Sequence, residues 1–294
     1  MKIDGWLTGP VAVVGADGQV GSALRDRLAE LPNEVRPLRR GDDLRAAFRG
    51  ADVVVHLAGT LAPGRGNSYR AANRDTVMAT CAALQDCAAR RVVFLSYLDA
   101  AATSANPYLR FKAEAEQLLH DSGIPAVIFR CAHIYGPPDQ PGPTASALLA
   151  RRGRVSVPGP GSQRYAWISR GDVVQALTRA ALDPATPTGT FELAGPRSYG
   201  VDEFVDHINS GRVRVRHLPG WAARLASRLV PGITEPLIDV LLRDCLPTGD
   251  PQQTAARFGF TLHTLAETWP RHIPGQEPSP SAPAARSRRG EPSD

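Results

Sequence analysis

A chain of 294 residues, 43% hydrophobic and 21% charged, is long enough to bury one large α/β core and has an ordinary globular balance. The net charge of +5 is spread along the chain among acids, and no basic run carries interleaved aromatics, so nucleic acid is not expected as a partner. No apolar run could form a transmembrane helix, and Asp4 and Gly5 interrupt any signal core after Lys2, so the expectation is a cytoplasmic chain without membrane insertion.

Residues 11–14 (VAVV) are a continuous β-branched run, the pattern of a fully buried parallel strand. A glycine turn follows, then a helix with Val20, Leu24 and Leu28 on one face, ended by Pro32 and Asn33. Strands are predicted at 34–38, 52–57, 91–96 and 125–130. Helices are predicted at 44–48, 70–89 and 107–121. Strands alternating with helices at this spacing predict a doubly wound parallel sheet.

Beyond residue 137 the pattern loosens. Gly and Pro crowd 136–143 and 158–161, which read as loops over a ligand cleft. A helix from Asp172 to Leu182 and strands at 189–194 and 212–218 follow. Residues 220–230 form an amphipathic helix with Trp221, Leu225 and Leu229 on one face, expected to pack or to act as a substrate lid, with a membrane-surface role as the alternative. The predicted organisation is a dinucleotide-binding domain over 1–170, a partly interleaved substrate region over 171–274, and a disordered tail over 275–294.

The segment GADGQVG places glycines at Gly15, Gly18 and Gly21, with Gln19 and Val20 opening the next helix. Gly15 permits the turn, Gly18 the approach of a pyrophosphate, and Gly21 the packing of helix on strand. The helix N-terminus offers unpaired N–H groups to phosphate. The second strand ends in Arg39 and Arg40 where an acid would suit a ribose hydroxyl. Two guanidiniums suit a 2′-phosphate, so NADP(H) is expected over NAD(H). Asp42 or Asp43 stands where a loop toward the adenine would run.

Only two of the 34 basic residues are lysines, and one of them, Lys112, lies four residues after Tyr108 in a helix that Pro107 can begin. A phenol needs a nearby cation to work as an acid–base group at neutral pH. Cys81, Cys87, Cys131 and Cys245 form no CxxC pair and lack histidines at ligand spacing, so reduced, mostly buried thiols and no metal are expected. GxSxG is absent.

The GxxGxxG turn, GADVVVHLAG (50–59), Asn73, YLRFKAEAE (108–116), FRCAHIYGPPD (129–139) and WISRGDVVQAL (167–177) together resemble the extended and atypical short-chain dehydrogenase/reductases. The texture of SYLDA before the tyrosine is similar to atypical members related to an accessory subunit of respiratory complex I. The resemblance implies Leu57, Ala58 and Gly59 beside the cofactor, Cys131 and His133 along the nicotinamide pocket, and Lys112 on its ribose. It implies Ser96 on a substrate carbonyl, and Asn73 in either a proton relay or a capping or packing role. The expected reaction is NADPH-dependent ketone or alcohol hydride transfer on a small, fairly apolar metabolite. The alternatives are a non-catalytic NAD(P)-binding sensor or accessory protein, and an epimerase or dehydratase that recycles its cofactor. The partner is a small-molecule substrate, read by 137–170 and 198–250 with Trp167 and Trp221, and the chain is a monomer or homodimer.

Overall fold

The computed structural model describes residues 5–64, 66–85, 87, 89–230 and 232–271. The predicted tail at 275–294 and the stretch around Lys2 lie outside them. The first half alternates as expected: β1 (Val11–Val14), α1 (Gln19–Ala29), β2 (Val35–Leu38), α2 (Leu44–Phe48), β3 (Val53–His56), α3 (Thr76–Leu84), β4 (Arg91–Tyr97), α4 (Pro107–Asp121) and β5 (Ala126–Cys131). The second half adds β6 (Ile134–Tyr135), α5 (Gly142–Leu148), β7 (Arg154–Pro158), β8 (Arg164–Tyr165), β9 (Ile168–Ser169), α6 (Arg170–Leu182) and β10 (Gly189–Leu193). It closes with β11 (Tyr199–Gly200), α7 (Val201–Ile208), β12 (Arg214–Leu218), α8 (Gly220–Ser227), α9 (Glu235–Leu241), α10 (Pro251–Phe258) and α11 (Leu265–Thr268).

Six strands form one parallel sheet in the order β10-β5-β4-β3-β1-β2. Strand alternation divides its side chains between two apolar layers. Val11, Val13, Val53, Val55, Val93 and Phe129 share a core with α1 and α6. Ala12, Val54, Val92, Phe94 and Ile128 share another with α3 and α4. Because β2 is the edge strand, the sheet ends beside Arg39. The two acids expected there serve the backbone. Asp42 accepts from the Arg39 N–H at 2.7 Å, and Asp43 caps α2 through the Ala46 N–H at 3.1 Å.

The predicted helix over 70–89 is broken in character. Its first turn, Ala71–Asp75, is π-helical and α3 follows. The extra residue of such a turn re-aims a side chain, and here Asn73 is wholly buried.

A third apolar cluster lies over the carboxyl ends of the strands. It gathers Val155, Val157, Tyr165, Trp167, Val201, Phe204 and Val240 from the second half. Trp167 stacks on Phe204 at 4.0 Å and 12°. The chain therefore interleaves, since α6 and β10 return to the sheet after β7–β9 have built this upper layer. The Arg170-Gly171-Asp172 start of α6 is a strut. Ser169 caps α6 through the Asp172 N–H, and the buried Asp172 carboxylate accepts from His263 N at 2.9 Å and His263 Nδ1 at 2.6 Å.

The helix expected over 220–230 forms as α8 but does not pack as expected. Its buried residue is Ala223, while Trp221 is 71% exposed. The reason is contact on one narrow stripe only, against α9 through Gly220 and Leu242. No helix among the described residues is long and apolar enough to cross a membrane. Replacing Asp172 by Ala orphans the His263 contacts that hold the C-terminal segment. We expect D172A to lower unfolding free energy by about 1–3 kcal/mol in urea denaturation, and an unchanged midpoint would refute the strut.

Candidate active site

A cavity of about 630 Å³ opens over the carboxyl ends of β1, β3, β4 and β5, where open parallel sheets place ligands. One end is the glycine turn. Gly15 has φ +83°, and a Cβ there would meet the Ala58 backbone N at 2.7 Å. A Cβ on Gly21 would lie 2.3 Å from the Gly15 carbonyl oxygen. Gly18 is the N-cap of α1 and supplies no side-chain cap, which leaves first-turn N–H groups of the helix for a ligand. Gln19, Val20, Leu57 and Gly59 border the same space. A backbone cradle that a single Cβ would fill, at a bare helix N-terminus, fits a pyrophosphate.

Beyond the turn, Arg39 is 70% exposed. Its Nε donates to Asp17 Oδ2 at 2.6 Å, which fixes the guanidinium beside the glycine loop and leaves its terminal nitrogens as donors. Arg40 is exposed next to it. Asp17 was missed in the sequence reading, although its place inside the turn marks it as the residue that faces the end of β2.

At the other end, Asn106 caps α4 by accepting from the Tyr108 N–H at 3.0 Å, with Pro107 in the first turn. This seats Tyr108 at the helix start, edge-on to Tyr97 with ring centres 5.3 Å apart. Among the described residues nothing engages the Tyr108 hydroxyl. Burial pushes the phenol well above its ordinary pKa, so it rests protonated. Lys112, one turn on, is buried. Its Nζ donates to the Leu95 carbonyl at 2.8 Å and sits 4.8 Å over the Phe94 ring. Burial pulls its pKa down to about 8, with the Glu116 carboxylate opposing that fall.

Gly59 makes room for this cation. A Cβ there would stand 2.9 Å from Asn73 Oδ1 and 3.0 Å from Lys112 Nζ. Asn73 is engaged with the backbone, with both amide donors used. Its Oδ1 accepts from Thr60 N at 3.0 Å, and its Nδ2 donates to the carbonyls of Thr60 and Tyr69 at 3.0 Å. It pins the loop after β3 to the π-turn.

Ser96 borders the cavity, but its hydroxyl is engaged within the protein: it donates to Glu116, which Arg130 holds through three contacts of 2.6–3.1 Å. Tyr97, absent from the sequence-based site, borders the same cavity, with its hydroxyl 3.2 Å from His133 Nε2. Burial pulls His133 down to about 4 and pushes Cys131 well above an ordinary thiol, so one is a neutral imidazole and the other a protonated thiol. No group of three His, Cys, Asp or Glu among the described residues could hold a metal.

The outer wall comes from two separate stretches of the second half of the chain. Leu148, Tyr165 and Trp167 meet Val201, Ile233, Leu237 and Leu241. Trp167 thus lies where the sequence reading put it, whereas Trp221 does not border the cavity. Among the described lining residues, Lys112 is the single one with a formal charge.

Fold and site together define a Rossmann-type, dinucleotide-binding protein. The chain belongs to the NAD dependent epimerase/dehydratase family, whose model matches residues 11–194. Among curated relatives, it is 26% identical over 230 residues to the mitochondrial NADH dehydrogenase [ubiquinone] 1 alpha subcomplex subunit 9 of Arabidopsis thaliana, covering 68% of this chain and 57% of that protein. It is 32% identical over 134 residues to a UDP-2-acetamido-2,6-beta-L-arabino-hexul-4-ose reductase of Pseudomonas aeruginosa, covering 43% of this chain and 36% of that protein. Each match thus spans less than two thirds of the relative. Among solved structures, the UDP-glucuronic acid 4-epimerase of Bacillus cereus, in complex with UDP-glucuronic acid and NAD, superposes with a TM-score of 0.70 at 17% identity, over 88% of this chain and 96% of that one. RMD from Pseudomonas aeruginosa, complexed with NADPH, gives 0.65 at 17% identity, over 89% and 96%. These structures share the fold, and their cofactors include both nicotinamide dinucleotides.

Proposed function

We propose that the protein is an NADPH-dependent reductase of small, fairly apolar ketones. The observation that carries this reading is the combination of a protonated, unengaged Tyr108 hydroxyl with a cavity wall whose single charged residue is Lys112. A nucleoside diphosphate-sugar carries charge that a wall of Leu, Ile, Tyr and Trp does not match. A neutral carbonyl compound suits that wall.

In this reading the glycine cradle and the α1 N-terminus hold the pyrophosphate, backed by Leu57 and Ala58, and Arg39 with Arg40 takes the 2′-phosphate. A bound nicotinamide supplies hydride. Tyr108 donates its proton to the substrate oxygen as negative charge develops there. Lys112, held by Leu95 and spaced by Gly59, supplies a fixed cation beside the developing charge in a low-dielectric site. His133 and Cys131 stay neutral and shape the pocket. Asn73 and Ser96 are positioning residues, acting through the Thr60 loop and through Glu116.

Tyr108→Phe removes the proton donor and keeps the ring. With NADPH and a panel of uncharged aryl and alkyl ketones, kcat is expected to fall by about 10²–10⁴-fold while NADPH affinity holds. Undiminished turnover would sink the mechanism. Tightly retained cofactor with no net NADPH oxidation would favour the recycling epimerase instead.

The pH dependence has a definite sign. Lys112 carries its charge below about pH 8 and loses it above, and Tyr108 stays protonated throughout. The kcat/KM profile is therefore expected to be flat below neutrality and to fall as pH rises through about 8. A rise across that window contradicts the assignment.

Arg39→Ala should reduce kcat/KM for NADPH by about ten-fold or more and leave NADH little changed. Equal losses with both cofactors would remove the 2′-phosphate role.

A further inference from the structure

α8 leaves its apolar face without a partner. Trp221, Leu225 and Leu229 recur at every fourth position, with exposures of 71%, 52% and 79%, and Val230 beside them is 45% exposed. Residues 211–230 also contain five arginines, Arg212, Arg214, Arg216, Arg224 and Arg228, and no acid. All five are exposed. Asp239 takes Arg224 at 2.8 Å, and among the described residues no carboxylate lies within ion-pair distance of the other four.

The patch runs straight into the cavity. Gly232 and Ile233 follow Val230 and border it, as do Leu237 and Leu241 of α9, the helix on which α8 rests. Gly232 is exposed, so this stretch is the cavity's rim. Thr234 next to it is tied to Tyr69 by a 2.5 Å hydroxyl contact, which holds the rim to the cofactor side.

We propose that α8 docks on an anionic lipid surface, with Trp221, Leu225 and Leu229 in the headgroup boundary and the flanking arginines on lipid phosphates. Charge complementarity favours this occupant, because the 211–230 stretch that carries the apolar stripe also carries four exposed arginines without an ion pair among the described residues and no acid. Area disfavours a second protein chain. Four partly exposed side chains offer roughly half of the ~800 Å² that each side of a specific protein interface buries. The helix is too short to span, so it lies in the interface plane. Docked this way, the cavity rim faces the bilayer, and an uncharged lipophilic substrate can pass from one to the other. That last step rests on the ketone-reductase reading, whereas the docking itself does not.

The test uses the full chain and vesicles of phosphatidylcholine, with and without about one-third phosphatidylglycerol. Co-sedimentation is measured together with tryptophan emission. Trp167 and Trp269 are buried and Trp6 is half-buried against the core under Arg179, so a blue shift that Trp221→Phe abolishes reports Trp221. The unaltered chain should bind the anionic vesicles, and salt should weaken the binding. Leu229→Asp should lower partitioning about ten-fold. The triple change Arg212→Gln, Arg216→Gln and Arg228→Gln should lower it about a hundred-fold. Both variants should keep the thermal midpoint and NADPH affinity, since all these side chains are exposed and none lines the cavity. Failure of the unaltered chain to bind, or binding by both variants as tight as its own, overturns the proposal. So does a dimer that L229D converts to a monomer without any vesicle binding, which would assign the face to a second copy. Vesicle binding without ketone reduction leaves the docking standing and removes the reductase reading alone.

Discussion

The buried ammonium of Lys112 is the constraint around which the site is arranged. An ammonium in a protein interior is costly unless its donors are engaged and a carboxylate stands near. Here the Leu95 carbonyl takes one donor, the Phe94 ring lies beneath, and Glu116 offsets part of the burial. The neighbours follow from that placement. A side chain at residue 59 would collide with Nζ, so the loop after β3 is glycine there. That loop would have little to hold it, and Asn73 holds it with every polar atom of its amide. The π-turn is what brings Asn73 inward far enough to do so.

Glu116 needs its own support. Arg130 grips it along one side and Ser96 donates to it on another. The acid is thereby committed to structure, and the cavity keeps one cation and no facing anion. The other titratable groups there are silenced by burial alone. Tyr97 and Cys131 are pushed up and His133 is pulled down, so each is neutral across ordinary pH. In the proposed reaction, chemistry at the centre falls to the pair at 108 and 112.

Much of this was legible in the sequence because it depends on short-range patterns. Buried β-branched runs gave the strands, the glycine spacing gave the phosphate turn, and the four-residue interval gave Tyr108 and Lys112. The strand-end position of Ser96 does bring it to the cavity, but the Glu116 carboxylate that engages its hydroxyl lies twenty residues on, and no local pattern announces that contact. The outer wall was readable only as the stretches 137–170 and 198–250, with Trp167 named and the other wall residues not. Leu148, Trp167, Val201 and Leu237 meet only through the interleaving of β7–β9 with the sheet, and no local signal encodes that. For α8 the periodicity correctly marked an apolar face, but a period says nothing about what covers it.

The opposed shifts of Tyr108 and Lys112 have a single physical origin with different consequences for rest and for reaction. In the unliganded cavity, low polarity penalises both the phenolate and the ammonium. The resting state is therefore a neutral phenol beside a cation only just retained near pH 8. When negative charge develops on a substrate oxygen, the same low polarity strengthens its attraction to Nζ, because less solvent screens it. The medium that makes the cation expensive at rest makes it effective in the transition state. An exposed lysine would carry its charge more cheaply and contribute less. On the proposed reaction, that is a physical reason for this chain, poor in lysine, to bury one of its two beside the loop after β3 rather than leave it at the surface with the arginines.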